Sequence, residues 1–147
     1  MEKSFSYRFE NILDIKEKLE DQKKNALGEA LQRLEQAEES LGQWKERKRK
    51  AVDEWNQQAK NIQKVQFFLQ SGDHFQYFDQ MIRRGEQEVK ERKKKVQEAR
   101  NQLMKAKQDT KVFEKIKEKD YEHHRIKEQR KENELIDQIV THKSSRK

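Results

Sequence analysis

The sequence contains no cysteine and no proline, and only four of its 147 residues are glycine. Without cysteine, neither a disulfide framework nor a thiolate metal site can form, which fits a reducing compartment. Without proline, no side chain removes a backbone donor from a helix interior. No window of 18 apolar residues occurs, and the first residues lack the apolar core of a signal peptide. We therefore expect long helices, no membrane span and a cytosolic location.

Apolar residues are too scarce for an ordinary globular core. They make up 31% of the chain, whereas charged residues make up 43%. Such polar chains are disordered, form extended helices or fold on a partner. The lack of proline and the abundance of good helix formers (Ala, Glu, Lys, Leu, Gln and Arg) favour extended helix. The length corresponds to one domain.

Two stretches of the chain repeat apolar residues at alternating steps of three and four. The first stretch comprises Leu27, Ala30, Leu34, Ala37, Leu41, Trp44, Lys48, Ala51 and Trp55, with Phe5, Phe9, Ile12 and Leu19 upstream. The second comprises Phe75, Phe78, Ile82, Gly85, Val89, Arg92, Val96, Ala99, Leu103, Ala106, Thr110 and Phe113. This spacing is the seam of a left-handed coiled coil. It predicts an all-α fold, a long antiparallel two-helix coiled-coil hairpin.

Residues Gln70 to His74 provide the turn signal nearest the centre of the chain. Gly72 can adopt the left-handed conformation that ends a helix, and Asp73 with Gln76 resembles a capping box. The prediction is a single domain, residues 1–147, with arm one at about 5–69, a turn at 70–74, arm two at about 75–140 and a frayed basic tail at 141–147. Facing residue numbers would sum to about 145, which places Phe9 near Ile136.

No pattern in the sequence indicates catalysis. A narrow helical hairpin has no pocket, and no nucleophile–base arrangement, phosphate-binding loop or zinc-protease motif occurs. We therefore expect a protein that is not an enzyme and uses no cofactor. Glu122, His123 and His124, with Glu128 four residues beyond His124, could in principle hold a metal, but a solvated helix face is the better explanation in so charged a chain.

Aromatic and basic residues offer two candidate contact surfaces. The cluster Phe67, Phe68, Leu69, Phe75, Tyr77 and Phe78 is too large for one seam to bury, so part of it is expected to be exposed as a binding site. The basic runs Arg47, Lys48, Arg49, Lys50 and Arg92, Lys93, Lys94, Lys95 would lie at nearly the same height and form a basic collar. Such a collar could be a solvated face, or it could bind an acidic protein or nucleic acid.

Three segments of the sequence have a pattern that recurs in a known family. The first is the opening, Phe5-Ser-Tyr-Arg-Phe-Glu-Asn-Ile-Leu-Asp-Ile-Lys-Glu17. The second is Phe75-Gln-Tyr-Phe-Asp-Gln-Met-Ile82, and the third is Lys111-Val-Phe-Glu-Lys-Ile-Lys-Glu-Lys119. In this order they span nearly the whole chain, and together they resemble the flagellar export protein FliJ family.

The resemblance implies a soluble coiled-coil component of the flagellar type III export apparatus. It implies binding to the export ATPase ring and its regulator, to the cytoplasmic domain of the export gate and to export chaperones, at the cytoplasmic face of the membrane. The gate contact would correspond to Phe75, Phe78, Ile82, Gly85 and Val89. The ATPase contact would use the paired termini, represented by Phe5, Phe9, Ile12, Leu13, Phe113 and Ile116. The alternative is a basic coiled-coil scaffold or nucleic-acid-binding protein unrelated to flagella.

Overall fold

The computed structural model consists of two long helices. It describes residues 5–60 and 65–145, and for residues 65–70 it describes the backbone. Helix α1 spans Glu10–Ala59 and helix α2 spans Val65–Ser145, with no strand in these ranges. The predicted fold class, an all-α pair of long helices packed against each other, is confirmed.

The chain divides into two compact units. The terminal unit comprises Met1–Gln22 and Met104–Lys147, and the inner unit comprises Lys23–Leu103. In both units a segment of α1 runs antiparallel to a segment of α2. Cross-helix contacts establish the register, because the paired residue numbers add up to 125–128 in Arg8–Asp120, Lys16–Asp109, Lys117–Glu10, Lys23–Gln102 and Lys48–Asp79.

The buried residues of the inner unit follow the predicted seams. Every seam residue from Leu27 to Trp55 and from Phe75 to Leu103 is buried or half-buried. Ala37, Phe78 and Val96 are the most buried apolar residues of this unit. Alternating steps of three and four keep these side chains on the face that each helix turns toward the other.

The seam of the terminal unit includes a buried hydroxyl. Thr110 is 3% exposed, and its Oγ1 donates a hydrogen bond of 3.0 Å to the Ala106 carbonyl oxygen. Because the hydroxyl has a hydrogen-bond acceptor within its own helix, a polar residue is tolerated at this buried seam position. On α1 the seam passes through Leu13, which is 3% exposed. Ile12, placed on the seam from sequence, is 39% exposed, so that assignment is wrong.

The predicted turn at residues 70–74 is wrong. Those residues lie inside α2, and no glycine in the described ranges has a positive φ angle. The observed register has its midpoint near residue 63, between the end of α1 and the start of α2. Arm one therefore ends about ten residues earlier than expected, and arm two begins about ten residues earlier.

Cross-helix packing explains why the turn signal at Gly72 has no effect. The ring centroid of Phe75 lies 6.4 Å from that of Trp55, and the centroid of Phe78 lies 6.3 Å from that of Trp44. Pairs of this kind contribute about 0.5–1.5 kcal/mol beyond the area they bury. A glycine inside a helix costs about 1 kcal/mol, which these contacts offset.

The new register also corrects the far end of the hairpin. Phe9 lies against Phe113 rather than near Ile136, with 6.2 Å between ring centroids. Residues 141–145, expected to fray, continue α2. Residues 146–147 of the expected frayed tail lie outside the described part of the chain. Because α2 has 81 residues and α1 has 50, the end of α2 extends past the start of α1.

Replacing Gly72 tests the position of the turn. No heavy atom lies within 4 Å of where a Cβ would be added at Gly72, and the same holds at Gly42 in α1. Gly72→Ala should therefore stabilise the protein by about 1 kcal/mol, as expected for an exposed helix interior. Urea unfolding followed by circular dichroism measures the change, with Gly42→Ala as the matched control. A loss of stability on Gly72→Ala beside a gain on Gly42→Ala would restore the turn at 70–74.

Candidate partner-binding surfaces

The inner unit has an open groove between α1 and α2, with a volume of about 520 Å³. Its lining from α1 is Arg33, Gln36, Ala37, Ser40, Leu41 and Trp44, and its lining from α2 is Met81, Arg84, Gly85, Glu88 and Arg92. On each helix these residues are mostly three or four apart, so they form one continuous face. The groove follows about 16 Å of each helix at 1.5 Å per residue.

Small residues on the seam shape this groove. A Cβ built on Gly85 would lie 2.9 Å from Leu41 Cδ1, closer than real Cβ contacts come. The absent side chain therefore lets α1 and α2 approach closely at this level. Ala37, buried at 9% exposure, is the second small residue. The groove is therefore shallow, and the larger side chains of Trp44 and Met81 lie beside its floor.

The charges around the groove are mostly positive. Arg92 Nε lies 2.8 Å from Glu88 Oε1, so these two residues neutralise each other. Arg33 and Arg84 are exposed and have no carboxylate partner among the described residues. At the end of the groove, the Arg47 guanidinium lies 4.7 Å from the ring centroid of Trp44. The surface combines an apolar floor with unneutralised guanidinium groups, which suits a partner with acidic and apolar side chains.

The five residues of the predicted gate stripe have different positions. Gly85 lines the groove, whereas Phe75, Ile82 and Val89 are half-buried on the seam. Phe78 is only 7% exposed and packs against Trp44, so it stabilises the helix pair. Sequence reasoning missed Met81 and Arg84 beside this stripe, and it missed the α1 side of the groove. The correct register would have revealed that side, since it places residues 33–44 opposite residues 82–93.

The expected aromatic cluster is only partly exposed. Tyr77 is 50% exposed and contacts Trp44 edge-to-face at 5.7 Å between ring centroids, whereas Phe78 is buried. The side chains of Phe67, Phe68 and Leu69 lie outside the described residues. Among Phe75, Tyr77 and Phe78, part of the surface is therefore exposed, as expected, and the exposed part is Tyr77.

The predicted basic collar does not form. Lys48 pairs with Asp79, so the run Arg47–Lys50 lies beside residues 77–80. Lys93 lies 14 positions beyond Asp79, about 21 Å further along α2. The prediction that the two basic runs lie at the same height assumed a turn at residues 70–74, which is wrong.

The two basic runs also differ in how far they are neutralised. Arg49 binds Glu46 and Asp53, and its hydrogen bond lowers the pKa of the Glu46 carboxyl. Lys93, Lys94 and Lys95 are exposed and have no ion pair among the described residues. The second run therefore has more unneutralised charge.

In the terminal unit, residues 5–9 pack on α2 through aromatic and polar contacts. The Phe5 ring centroid lies 5.3 Å from that of Tyr121 and 5.5 Å from that of His124. The Tyr7 hydroxyl donates a 2.9 Å hydrogen bond to the Phe113 carbonyl oxygen, and burial raises the pKa of that hydroxyl. These contacts hold residues 5–7 against α2.

The residues predicted to contact an ATPase ring mostly belong to this internal packing. Phe9 and Phe113 are half-buried against each other, Leu13 is buried and Ile116 is half-buried. Phe5 contacts Tyr121, and Ile12 is the one exposed residue of the six. A continuous run of exposed residues lies further along α2, at residues 129–145.

We call residues 129–145 of α2 the C-terminal extension, because each of them is exposed. Four large apolar residues lie on it, Leu135, Ile136, Ile139 and Val140, with exposures of 58%, 56%, 49% and 57%. At about 100° per residue they occupy about 140° of the helix circumference. A contiguous exposed apolar face of this kind indicates an interaction surface.

Two other kinds of site are not found in the described residues. In the ranges 5–60 and 65–145, no group of three His, Cys, Asp or Glu side chains could hold a metal ion. Neither α1 nor α2 contains a stretch apolar enough to span a bilayer.

Comparison with known proteins identifies the family. The family model described as "Flagellar FliJ protein" matches residues 5–147. Searches of curated proteins and of solved structures gave no match. The matched range includes both helices, the groove and the C-terminal extension. The chain therefore belongs to the flagellar FliJ family and is a flagellar export apparatus component.

Proposed function

We propose that this chain is a non-enzymatic connector in flagellar type III protein export, which binds the ring of the export ATPase and the cytoplasmic domain of the export gate. The observation that carries the proposal is the presence of two different exposed surfaces on two different units. The inner unit has an arginine-lined groove, and the terminal unit has an apolar helix face. Family membership supplies the export setting.

The C-terminal extension is the surface proposed for the ATPase ring. It is a single helix without an α1 partner, so it is narrow enough to enter a pore about 12 Å wide or wider. Its four apolar residues would be buried there, and burying one Leu or Ile side chain contributes about 1.5–3 kcal/mol. A protein that binds only the assembled ring also stabilises that assembly. This supports a role in promoting ring assembly and turnover.

The groove of the inner unit is the surface proposed for the export gate. It adjoins the stripe that the resemblance assigns to the gate, and Gly85 belongs to both. Its contacts would come from Met81, Trp44 and the exposed guanidinium of Arg84. The seam residues Phe75, Phe78 and Ile82 would act indirectly, by holding the two helices at the spacing that creates the groove.

Further partners proposed for the chain are the ATPase regulator and export chaperones. The run Lys93–Lys95 gives an acidic protein surface a place to bind near the groove, since Arg33 lies opposite in the register. The site of action would be the cytoplasmic face of the membrane at the flagellar base, reached through the gate alone.

The first prediction concerns ATPase activation. Leu135→Asp combined with Ile139→Asp should weaken binding of the cognate export ATPase by tenfold or more, because two side chains of about 1.5–3 kcal/mol each would lose their burial. Turnover measured against concentration of the variant, beside the unaltered protein, gives the shift in half-maximal stimulation. Circular dichroism should stay unchanged, since both residues are exposed.

Val112→Asp is the matched control for this experiment. Val112 is 54% exposed on α2 but lies within the paired part of the terminal unit. It should leave stimulation unchanged. Equal loss in both variants would show a general charge effect, and full stimulation by the double variant would exclude the C-terminal extension as the ring contact.

The second prediction concerns the gate. Arg84→Glu should weaken binding to the cytoplasmic domain of the export gate protein by about tenfold, because it places a negative charge in a groove suited to acidic side chains. Arg83→Glu is the control, since Arg83 is exposed, carries the same charge and does not line the groove. Titration calorimetry measures both. Similar affinities for the two variants would show that the groove is not the gate site.

The same proteins test the alternative of a nucleic-acid-binding scaffold. Duplex DNA titrated at two salt concentrations should show no specific complex. Binding with a steep salt dependence, lost in Lys93→Glu with Lys94→Glu, would favour nucleic acid instead. Unchanged ATPase turnover in the presence of the unaltered chain would contradict the export role directly.

A further inference from the structure

One acidic and one basic residue lie at the two ends of the apolar face of the C-terminal extension. Glu132, Ile136, Ile139 and Lys143 are separated by steps of four, three and four, so they lie in one line along the helix. Leu135 and Val140 flank that line on either side. Glu132 and Lys143 are exposed, and neither has an ion pair among the described residues. The face therefore has an apolar centre, a negative N-terminal end and a positive C-terminal end.

We propose that this face binds a second copy of the same chain, with the two C-terminal extensions antiparallel. In a coiled-coil register where facing residue numbers sum to 275, Ile136 of one copy faces Ile139 of the other, in two symmetric layers. The next layers place Glu132 of one copy opposite Lys143 of the other, again twice. All four apolar side chains gain cover, and both charges gain a partner of opposite sign.

Charge decides the orientation. A parallel pair in register would place Glu132 against Glu132 and Lys143 against Lys143, which is repulsive at both ends. The antiparallel pair replaces each repulsion with an attraction and has twofold symmetry, the commonest symmetry of homo-oligomers. Complementarity of the face with itself therefore favours a second copy as the occupant.

The size of the surface determines the strength of association. The extension has 17 residues, about 25 Å of helix. A contact of this length buries less surface area than the interfaces of obligate dimers, so the association should be reversible and concentration-dependent. Self-association of this kind requires neither the ATPase nor the gate protein, so it can be measured on the purified chain alone.

Sedimentation equilibrium of the full chain over a wide concentration range is the primary test. The unaltered protein should show a monomer–dimer equilibrium. Glu132→Lys alone and Lys143→Glu alone should each weaken dimerisation by about tenfold, since each creates two like-charge layers. The double variant, with both substitutions, should restore affinity to within about threefold of the unaltered protein. A monomer at every concentration would overturn the proposal.

Two further measurements separate the competing outcomes. Ile136→Asn should abolish dimerisation, whereas Val112→Asn, at nearly the same exposure, should not. Equal effects would place the dimer contact elsewhere. Because the chain has no native cysteine, Ile136→Cys and Ile139→Cys proteins can be mixed and oxidised. Disulfide should form mainly between the two different variants. Preferential linkage within each variant, or insensitivity to the single charge reversals, would overturn the antiparallel arrangement.

Discussion

The register between α1 and α2 determines the other features of this protein. It is set by a few contacts that join residues far apart in sequence. Lys48 pairs with Asp79, Gly85 admits Leu41, and the Tyr7 hydroxyl binds the Phe113 carbonyl. A change of one seam layer would separate all three. The ion pair alone contributes little, because both of its partners are partly exposed. Shape and apolar packing therefore determine the register, and the polar pairs disfavour registers shifted by one seam layer.

Both proposed binding surfaces follow from that register. In the inner unit, close approach at Gly85 leaves a groove where larger seam residues would have filled the space. In the terminal unit, α1 begins at Glu10 opposite Lys117, so α2 continues past its partner. Had the two arms been paired about a turn near residue 72, the apolar residues Leu135 to Val140 would have been packed against the start of the chain. The earlier turn leaves them available.

The sequence predicted what depends on periodicity and failed where the result depends on pairing. Steps of three and four identified the seams of the inner unit correctly, because burial of one helix face is a local property of that helix. They failed in the terminal unit at Ile12, which is exposed. The turn was wrong because Gly72 and Asp73 are a strong local signal, whereas residues near 61 have no comparable glycine. Tertiary packing by Trp44, Trp55, Phe75 and Phe78 outweighs that local preference. The basic collar and the placement of Phe9 near Ile136 were wrong for the same reason.

The difference between the two surfaces limits how each can act. The apolar face of the C-terminal extension needs little more than a complementary apolar surface to bind. It can therefore accept the interior of a ring or a second copy of the chain, but not both at once. A groove with unpaired arginines depends on charge as well as shape, so fewer partners fit it. If both proposals hold, self-pairing would lower the free concentration of chains able to bind the ring while leaving the groove accessible. Gate contact would then persist in a paired chain, and ATPase contact would require the pair to separate.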